Sequence, residues 1–550
     1  MNDPGALPAV VMPQSPGSFG PPRRFSRVAL SLVALKASAH AGAAFVTPYE
    51  FHRDELLYFA MGTHLRPFGM DFPPLIALLS EALRGTVGVT VPGYRLLAAA
   101  LGTLVALVAV AIARELGGRR KAQTLVAAAV LFNPLFLRTA TLFQPVVLDQ
   151  LWWLLGFWAI ARLVRTREPR WWLLVGVAAG LGLLSKFSIL FFGVAVLAGL
   201  LATGRRRDLL GPWPWIALGI ALLLGSPSWI GQLRLGLPVL EQMSGLREGQ
   251  LNRITLGEQL FGQAVWGPQF LLALAGLAGL LAARRLRTWR LLGLAALAGL
   301  VLFAAMKGKP YYSGPIHPVL YAAGGVWLES IRARRLRRTL AWALAGAIAA
   351  WGLFVLPFGL PVVPPEPMAR YAAWTGIEAG TTTNQGVVLE LPQDYADMLG
   401  WKQKAAAVAG VVETLTPEER ATVVLYGRNY GQAGALDLYG SRMGLPPVVS
   451  LAGSWFHFGP GDRAGNPVVL LGVEPADLAR VRCGSVEVVT RVRTRWGVPE
   501  ERDVPVAVCR DPSITLRELW EQERETRVHR VTEARHGRPT RFRPPPGNPR

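Results

Sequence analysis

Between Thr47 and Pro74 the chain reads TPYEFHRDELLYFAMGTHLRPFGMDFPP, a polar stretch set between apolar ones. Four carboxylates, Glu50, Asp54, Glu55 and Asp71, stand there beside His52, Arg53, His64 and several aromatics. So dense a charge cluster at a membrane surface is costly unless it is used. A carboxylate in such a place can take a proton from a hydroxyl. The run Thr47-Pro48-Tyr49-Glu50 has the pattern of a capping box with proline at the first helical position. It predicts a short amphipathic helix carrying Asp54, with Glu50 and Tyr58 sharing its face at i, i+4 spacing. Leu56, Leu57, Phe59 and Ala60 would then lie in the headgroup region. Read from the residues alone, Asp54 is equally suited to capping this helix or pairing with Arg53 or Arg66. Glu55 is open to a second reading, as a solvated helix-surface glutamate.

Other polar residues interrupt the apolar runs. Asp149 follows Thr141-Leu142-Phe143-Gln144-Pro145, where it is a functional candidate or a partner to Arg138. Lys307-Gly308-Lys309-Pro310-Tyr311-Tyr312, with His317 beyond, offers ammonium and phenol groups that suit phosphate oxygens. These lysines, and Lys186 in Gly182-Leu183-Leu184-Ser185-Lys186, also have the reach to snorkel to headgroups. Arg234, Arg247 and Arg253 fall in a long polar loop, where a solvated role is the simpler one. Gly427 to Gly440 reads GRNYGQAGALDLYG, which lacks the lysine and hydroxyl of a phosphate-binding P-loop and reads as a tight strand-to-helix turn. No histidine or cysteine grouping has metal-ligand spacing, so neither metal nor cofactor is implied. Cys483 and Cys509 stand alone near the carboxy terminus, where an oxidising compartment would permit a disulfide.

These groups need a membrane scaffold to position them. The chain has 550 residues, 51% of them hydrophobic. The apolar residues come in long runs, as in a polytopic membrane protein. Eleven runs can be counted, near 28–46, 92–113, 122–137, 146–164, 171–186, 188–203, 213–231, 266–283, 290–306, 312–330 and 339–357. Residues 74–87 are too short to span and carry Glu81 and Arg84, which suggests an interfacial or re-entrant helix. The net charge of +22 could suggest a nucleic-acid binder. Its basic residues, however, crowd into every second loop between runs, where they set topology. Nucleic acid is therefore not an expected partner. The positive-inside rule puts the amino terminus and the basic loops in the cytoplasm, with 47–74, 232–265 and the carboxy-terminal part outside. That is the layout of a multi-pass plasma (inner) membrane protein.

The pattern Arg53-Asp54-Glu55-Leu56-Leu57-Tyr58, followed by Asp71-Phe72-Pro73-Pro74-Leu75, resembles the polyprenyl-phosphate-sugar-dependent glycosyltransferases of the GT-C fold. Within them the likeness is to family 39, the protein O-mannosyltransferase and aminoarabinose transferase group. Asp149 and the Tyr311-Tyr312 segment extend the likeness over roughly residues 28–330. The resemblance implies Asp54 as general base and Glu55 as the second member of an acidic pair that orients the acceptor. It implies Asp149 as a second acidic site, and Lys307, Lys309, Tyr311, Tyr312 and Lys186 as the donor phosphate site. Arg53, Tyr58, Arg138 and His317 are further candidate substrate contacts. The implied partners are a polyprenyl-phosphate-linked sugar, the bilayer and a hydroxyl acceptor on protein, lipid A or glycan. One base and one displacement imply inversion.

The expected architecture is thus a polytopic α-helical membrane protein of about eleven spans with a carboxy-terminal extracytoplasmic α/β domain. Its parts are a cytoplasmic segment 1–27, the transmembrane domain 28–357, the external domain 358–511 and a basic, partly disordered tail 512–550. Proline at 357, 361, 364, 365 and 367 marks a stiff exit from the membrane. A transporter or flippase of lipid-linked glycans would instead place charges near the membrane midplane on repeated halves. No repeat is visible here. A non-catalytic envelope-assembly protein would need no acidic cluster.

Overall fold

The structure is a computed structural model that describes residues 23–478 and 483–535. The expected amino-terminal segment through residue 22 and the tail beyond residue 535 lie outside the described residues. Helices come first: α1 Arg27–Val46, α2 Arg53–Thr63, α3 Leu75–Val87, α4 Val91–Glu115, α5 Arg120–Leu131, α6 Pro134–Arg138, α7 Pro145–Thr166, α8 Trp171–Leu183 and α9 Ile189–Leu201. There follow α10 Trp213–Leu224, α11 Ser226–Arg234, α12 Pro238–Gly249, α13 Leu256–Ala264, α14 Gln269–Ala282, α15 Arg290–Ala305, α16 His317–Leu328 and α17 Arg334–Phe354.

Each of the eleven apolar runs is helical, but several are broken. Among the described residues four helices, at 27–46, 91–115, 145–166 and 284–305, are long and apolar enough to cross a membrane, and three bent pairs raise this to seven. The run at 122–137 breaks at Asn133-Pro134, where the Asn133 side chain accepts from Leu135 N at 2.8 Å and donates to the Tyr321 hydroxyl at 3.1 Å. The freed carbonyls of Phe136 and Leu137 are met by Lys36 and His40 of α1, at 2.8 and 3.0 Å. This explains two polar residues inside an otherwise apolar helix. Helix α16 is buried from His317 to Val326. A Cβ at Gly325 would stand 3.1 Å from the backbone of Ala122, so glycine permits the close approach of α5.

The carboxy-terminal region is a small α/β domain. Strands β1 Val424–Gly427, β2 Val448–Val449, β3 Val468–Leu471, β4 Cys483–Arg493 and β5 Asp503–Pro512 form one sheet in the order β2-β1-β3-β5-β4. β1 is parallel to β2 and β3, whereas β5 is antiparallel to β3 and β4. A disulfide joins Cys483 to Cys509. Past Pro512 the described part of the tail forms a helix, Leu516–Arg535. Trp520 anchors it, stacked on Phe456 and donating to the Phe456 carbonyl at 2.9 Å. Arg530 reaches Glu241 of α12 at 3.0 Å. One tryptophan and a set of ion pairs hold a segment whose composition alone looks unfolded.

The 47–74 stretch serves as the seat of this domain. Phe51, Leu56 and Phe59 share one hydrophobic cluster with Trp401 and Val408 of the helix Trp401–Glu413 and with Leu425, Val469 and Val506 of the sheet. Leu56, Phe59 and Ala60 are therefore buried under protein and do not lie among headgroups. The helix start also differs from the capping box expected at Thr47. His52 is the N-cap, with Glu55 at the third helical position closing the box. Glu50 stays outside α2, and its carboxylate accepts from Trp401 N and Lys402 N at 2.9 and 3.1 Å. It thus stabilises the start of another helix.

Candidate active site

Asp54 sits in the first turn of α2 at the mouth between the helical bundle and the α/β domain. Its two oxygens have separate donors: the Tyr430 hydroxyl at 2.9 Å and Gln144 Nε2 at 3.1 Å. The side chain keeps 30% exposure and lines a cavity of about 2920 Å³. Two hydrogen bonds leave lone pairs free on a carboxylate with about four acceptor positions. A hydroxyl entering the cavity has a place to donate. Tyr58, one turn further along, lines the same wall, and burial, then the Asp54 carboxylate, hold its phenol well above the ordinary range.

Around Asp54 lies a charge network drawn from both parts of the chain. His52 Nδ1 accepts the Asp54 N–H at 3.1 Å, which leaves its other ring nitrogen, Nε2, turned toward the carboxy-terminal region. That nitrogen faces Asp394 and Asp397 at 3.8 and 3.7 Å. Arg53 pairs with Asp397 at 3.2 Å and Glu500 at 3.1 Å, and its guanidinium lies over the Tyr430 ring. Arg138 donates to Asp394. Burial raises the Asp394 carboxyl, but Arg138, His52 and Arg53 together outweigh it and the net direction is downward. Asp397 goes the other way: burial pushes it up to about 6 against the pull of Arg53 and His52. Asp394, Asp397, Glu500 and Tyr430 all come from the carboxy-terminal region.

The cationic wall lies beside Asp149. Lys186, in the break between α8 and α9, has its ammonium 5.0 Å from the Tyr312 ring centre, and Lys309 stands 5.9 Å from that of Tyr311. The two phenol rings meet edge to face at 4.7 Å. Asp149 accepts from Ser188 at 2.6 Å and is 4% exposed. Arg138 is engaged with Asp394, so the pairing of Asp149 with Arg138 is not formed. Burial, then the charge of Lys186, lower Lys309 to about 8. Leu190, Phe191, Phe303 and Met306 continue the wall as an apolar surface.

Three sequence candidates stay out of the cavity. Glu55 is 0% exposed and accepts from His52 N at 2.7 Å and Phe143 N at 2.9 Å, with Arg95 at 3.6 Å. It ties α2 to the start of α7 and does not line the cavity. Lys307 is exposed at positive φ and does not line the cavity. The lysine two residues on, Lys309, does. His317 is buried against Trp266 and bonded to the Ser313 carbonyl at 3.0 Å, so it helps start α16. Of the loop arginines, Arg247 and Arg253 line the cavity, while Arg234 contacts the Phe68 carbonyl at 3.4 Å.

Gln144, Tyr430, Asp394 and Asp397 were missed as site residues. Tyr430 lies in the glycine-rich 427–440 segment, which is indeed a strand-to-helix turn leading from β1 into the helix Tyr430–Ala435. The spacing of Gly431 and Gly434 was the available signal. A Cβ at Gly431 would stand 2.9 Å from Arg53 Cβ, and one at Gly434 2.8 Å from Leu56 Cβ. Glycine three residues apart marks the face on which α2 lies.

Residues 71–230 match the family model described as dolichyl-phosphate-mannose-protein mannosyltransferase. A comparison with curated proteins finds no match. Among solved structures, ArnT from Cupriavidus metallidurans bound to undecaprenyl phosphate is similar at 16% identity and a TM-score of 0.56, over 87% of this chain and 97% of that one. Its apo state gives the same values. The archaeal oligosaccharyltransferase AglB from Archaeoglobus fulgidus is a looser likeness, at 14% identity, a TM-score of 0.45, and 81% and 69% coverage. The chain is thus a polytopic helical membrane protein with a GT-C-like fold, and its residues 71–230 match that family model.

Proposed function

We propose that this chain is an integral-membrane glycosyltransferase that moves a sugar from a polyprenyl-phosphate donor to a hydroxyl acceptor. One observation carries the reading: a single cavity holds Asp54 with free acceptor positions, two lysines beside two phenols, and an apolar wall adjoining them. The structure of ArnT with undecaprenyl phosphate, which shares the fold, supports the lipid carrier. In the reaction the acceptor O–H gives its proton to Asp54 as its oxygen attacks the anomeric carbon. The bond from that carbon to the phosphate oxygen breaks, and polyprenyl phosphate leaves with the bonding electrons. A single displacement inverts the anomeric centre. Phosphate is already a fair leaving group, so cations suffice to stabilise it. Lys186, Lys309, Tyr311 and Tyr312 are the groups for this, with Asp149 on the same wall. The basic-loop pattern puts the site on the extracytoplasmic side.

The test is release of free polyprenyl phosphate from a labelled lipid-linked sugar by the purified protein in the presence of hydroxyl acceptors. Release coupled to label on an acceptor is the expected outcome. Movement of intact donor across the bilayer with no release would point to a flippase and overturn the reading.

The pH dependence of donor capture follows from Lys309. Its ammonium is charged below about 8 and neutral above, so its attraction for phosphate is lost as pH rises through that value. The value of kcat/KM for the donor is therefore expected to fall on the alkaline side of about pH 8. Lys309→Arg, charged throughout, should move that limb upward. An unchanged limb in the arginine variant would remove Lys309 from the phosphate site.

A further inference from the structure

We propose that Tyr430 is the positioning residue for Asp54, so that the carboxy-terminal domain completes the active site instead of only covering it. The inference rests on the glycosyltransferase reading and adds to it a residue from a region outside the 71–230 family match. The Tyr430 hydroxyl is 2.9 Å from Asp54 Oδ1. Burial is the main reason its phenol lies far above the ordinary range, with the Asp54 carboxylate adding to it, so the group stays a donor. Its hydrogen bond fixes the carboxylate plane, with Gln144 holding the other oxygen.

Tyr430 is itself held by a buried chain of contacts. Asn429 caps the helix through Oδ1, which accepts from Gln432 N at 2.9 Å, and its Nδ2 donates to Glu501 at 2.7 Å. Gln432 Nε2 also donates to Glu501, at 3.1 Å, and Lys404 pairs with Glu501 at 3.0 Å, both partners of that pair being almost fully buried. Gly431 and Gly434 bring this helix against Arg53 and Leu56 of α2. The domain thus locks the tyrosine, and the tyrosine locks the base. A carboxylate free to rotate would spend most of its time misaimed at an incoming hydroxyl.

The experiment uses full-length protein with a labelled lipid-linked sugar and follows kcat, donor KM, binding of undecaprenyl phosphate and the thermal midpoint. Tyr430→Phe keeps the ring beneath Arg53 and removes only the hydroxyl. It is expected to lower kcat about 10- to 100-fold, the range of a hydrogen bond to a charged group, while donor KM, lipid-phosphate binding and the melt stay as in the wild type. Asn429→Ser keeps a helix cap but drops the Glu501 contact, and should lower kcat about threefold to tenfold in the same way. Wild-type kcat in Tyr430→Phe, or a loss confined to lipid-phosphate binding, overturns the inference while leaving the transferase reading standing. A wild type that releases no carrier from any lipid-linked sugar refutes the transferase reading, and this inference with it.

Discussion

Asp54→Asn is expected to cut turnover by about 10²- to 10⁴-fold, the contribution of a placed general base. The asparagine fills the same space between Tyr430 and Gln144, so the protein should still fold and still bind undecaprenyl phosphate. What is lost is the negative oxygen that takes the acceptor proton. A purified variant with a wild-type melt, wild-type lipid binding and no release of carrier is the expected combination. Full turnover in that variant would move the proton transfer to another group on the cavity wall, where Asp71, Asp149, Asp394 and Asp397 also stand.

Glu55→Ala should have the other large effect, and on stability. Glu55 and Arg95 are both buried, 3.6 Å apart. Removing one partner of a buried pair costs about 3–5 kcal/mol, because the other charge is left behind. Here the backbone N–H groups of His52 and Phe143 also lose their acceptor. Arg95 retains contacts to Thr47 Oγ1 and the Glu50 carbonyl at 3.2 and 2.7 Å, which soften the loss. The measurement is a denaturation curve in detergent alongside kcat per folded molecule. A stable variant with strongly reduced kcat would restore the orienting role that the sequence pattern suggested for this glutamate.

The contrast between Asp54 and Glu55 shows what the sequence made legible. Adjacent acidic residues looked like a pair sharing one task, yet a helix turns about 100° per residue and sends neighbours to different faces. Asp54 faces the cavity, while Glu55 closes the capping box and reaches Arg95. The apolar runs were readable because hydropathy is a local property. Lys307 and Lys309 could not be separated that way, since the choice depends on a backbone turn with Lys307 at φ 52°. The partners of Asp54 and Arg138 from beyond residue 390 were not legible at all. Tyr430 lies 376 positions from Asp54, and Asp394 lies 256 from Arg138. Only the packing of the domain on α2 brings them together. The helix Leu516–Arg535 was hidden for a related reason: its anchor is one tryptophan meeting a distant phenylalanine.

The account depends most on where the donor phosphate sits relative to Asp54. An experimental structure of the wild-type protein with undecaprenyl phosphate measures this directly. The expected result is phosphate oxygens within hydrogen-bond distance of Lys309 and of Lys186 or Tyr312, with the lipid running along Phe191 and Phe303 and open space between phosphate and Asp54 for a sugar. Phosphate bound away from both lysines, or on a side of the bundle from which Asp54 cannot be reached, would contradict it.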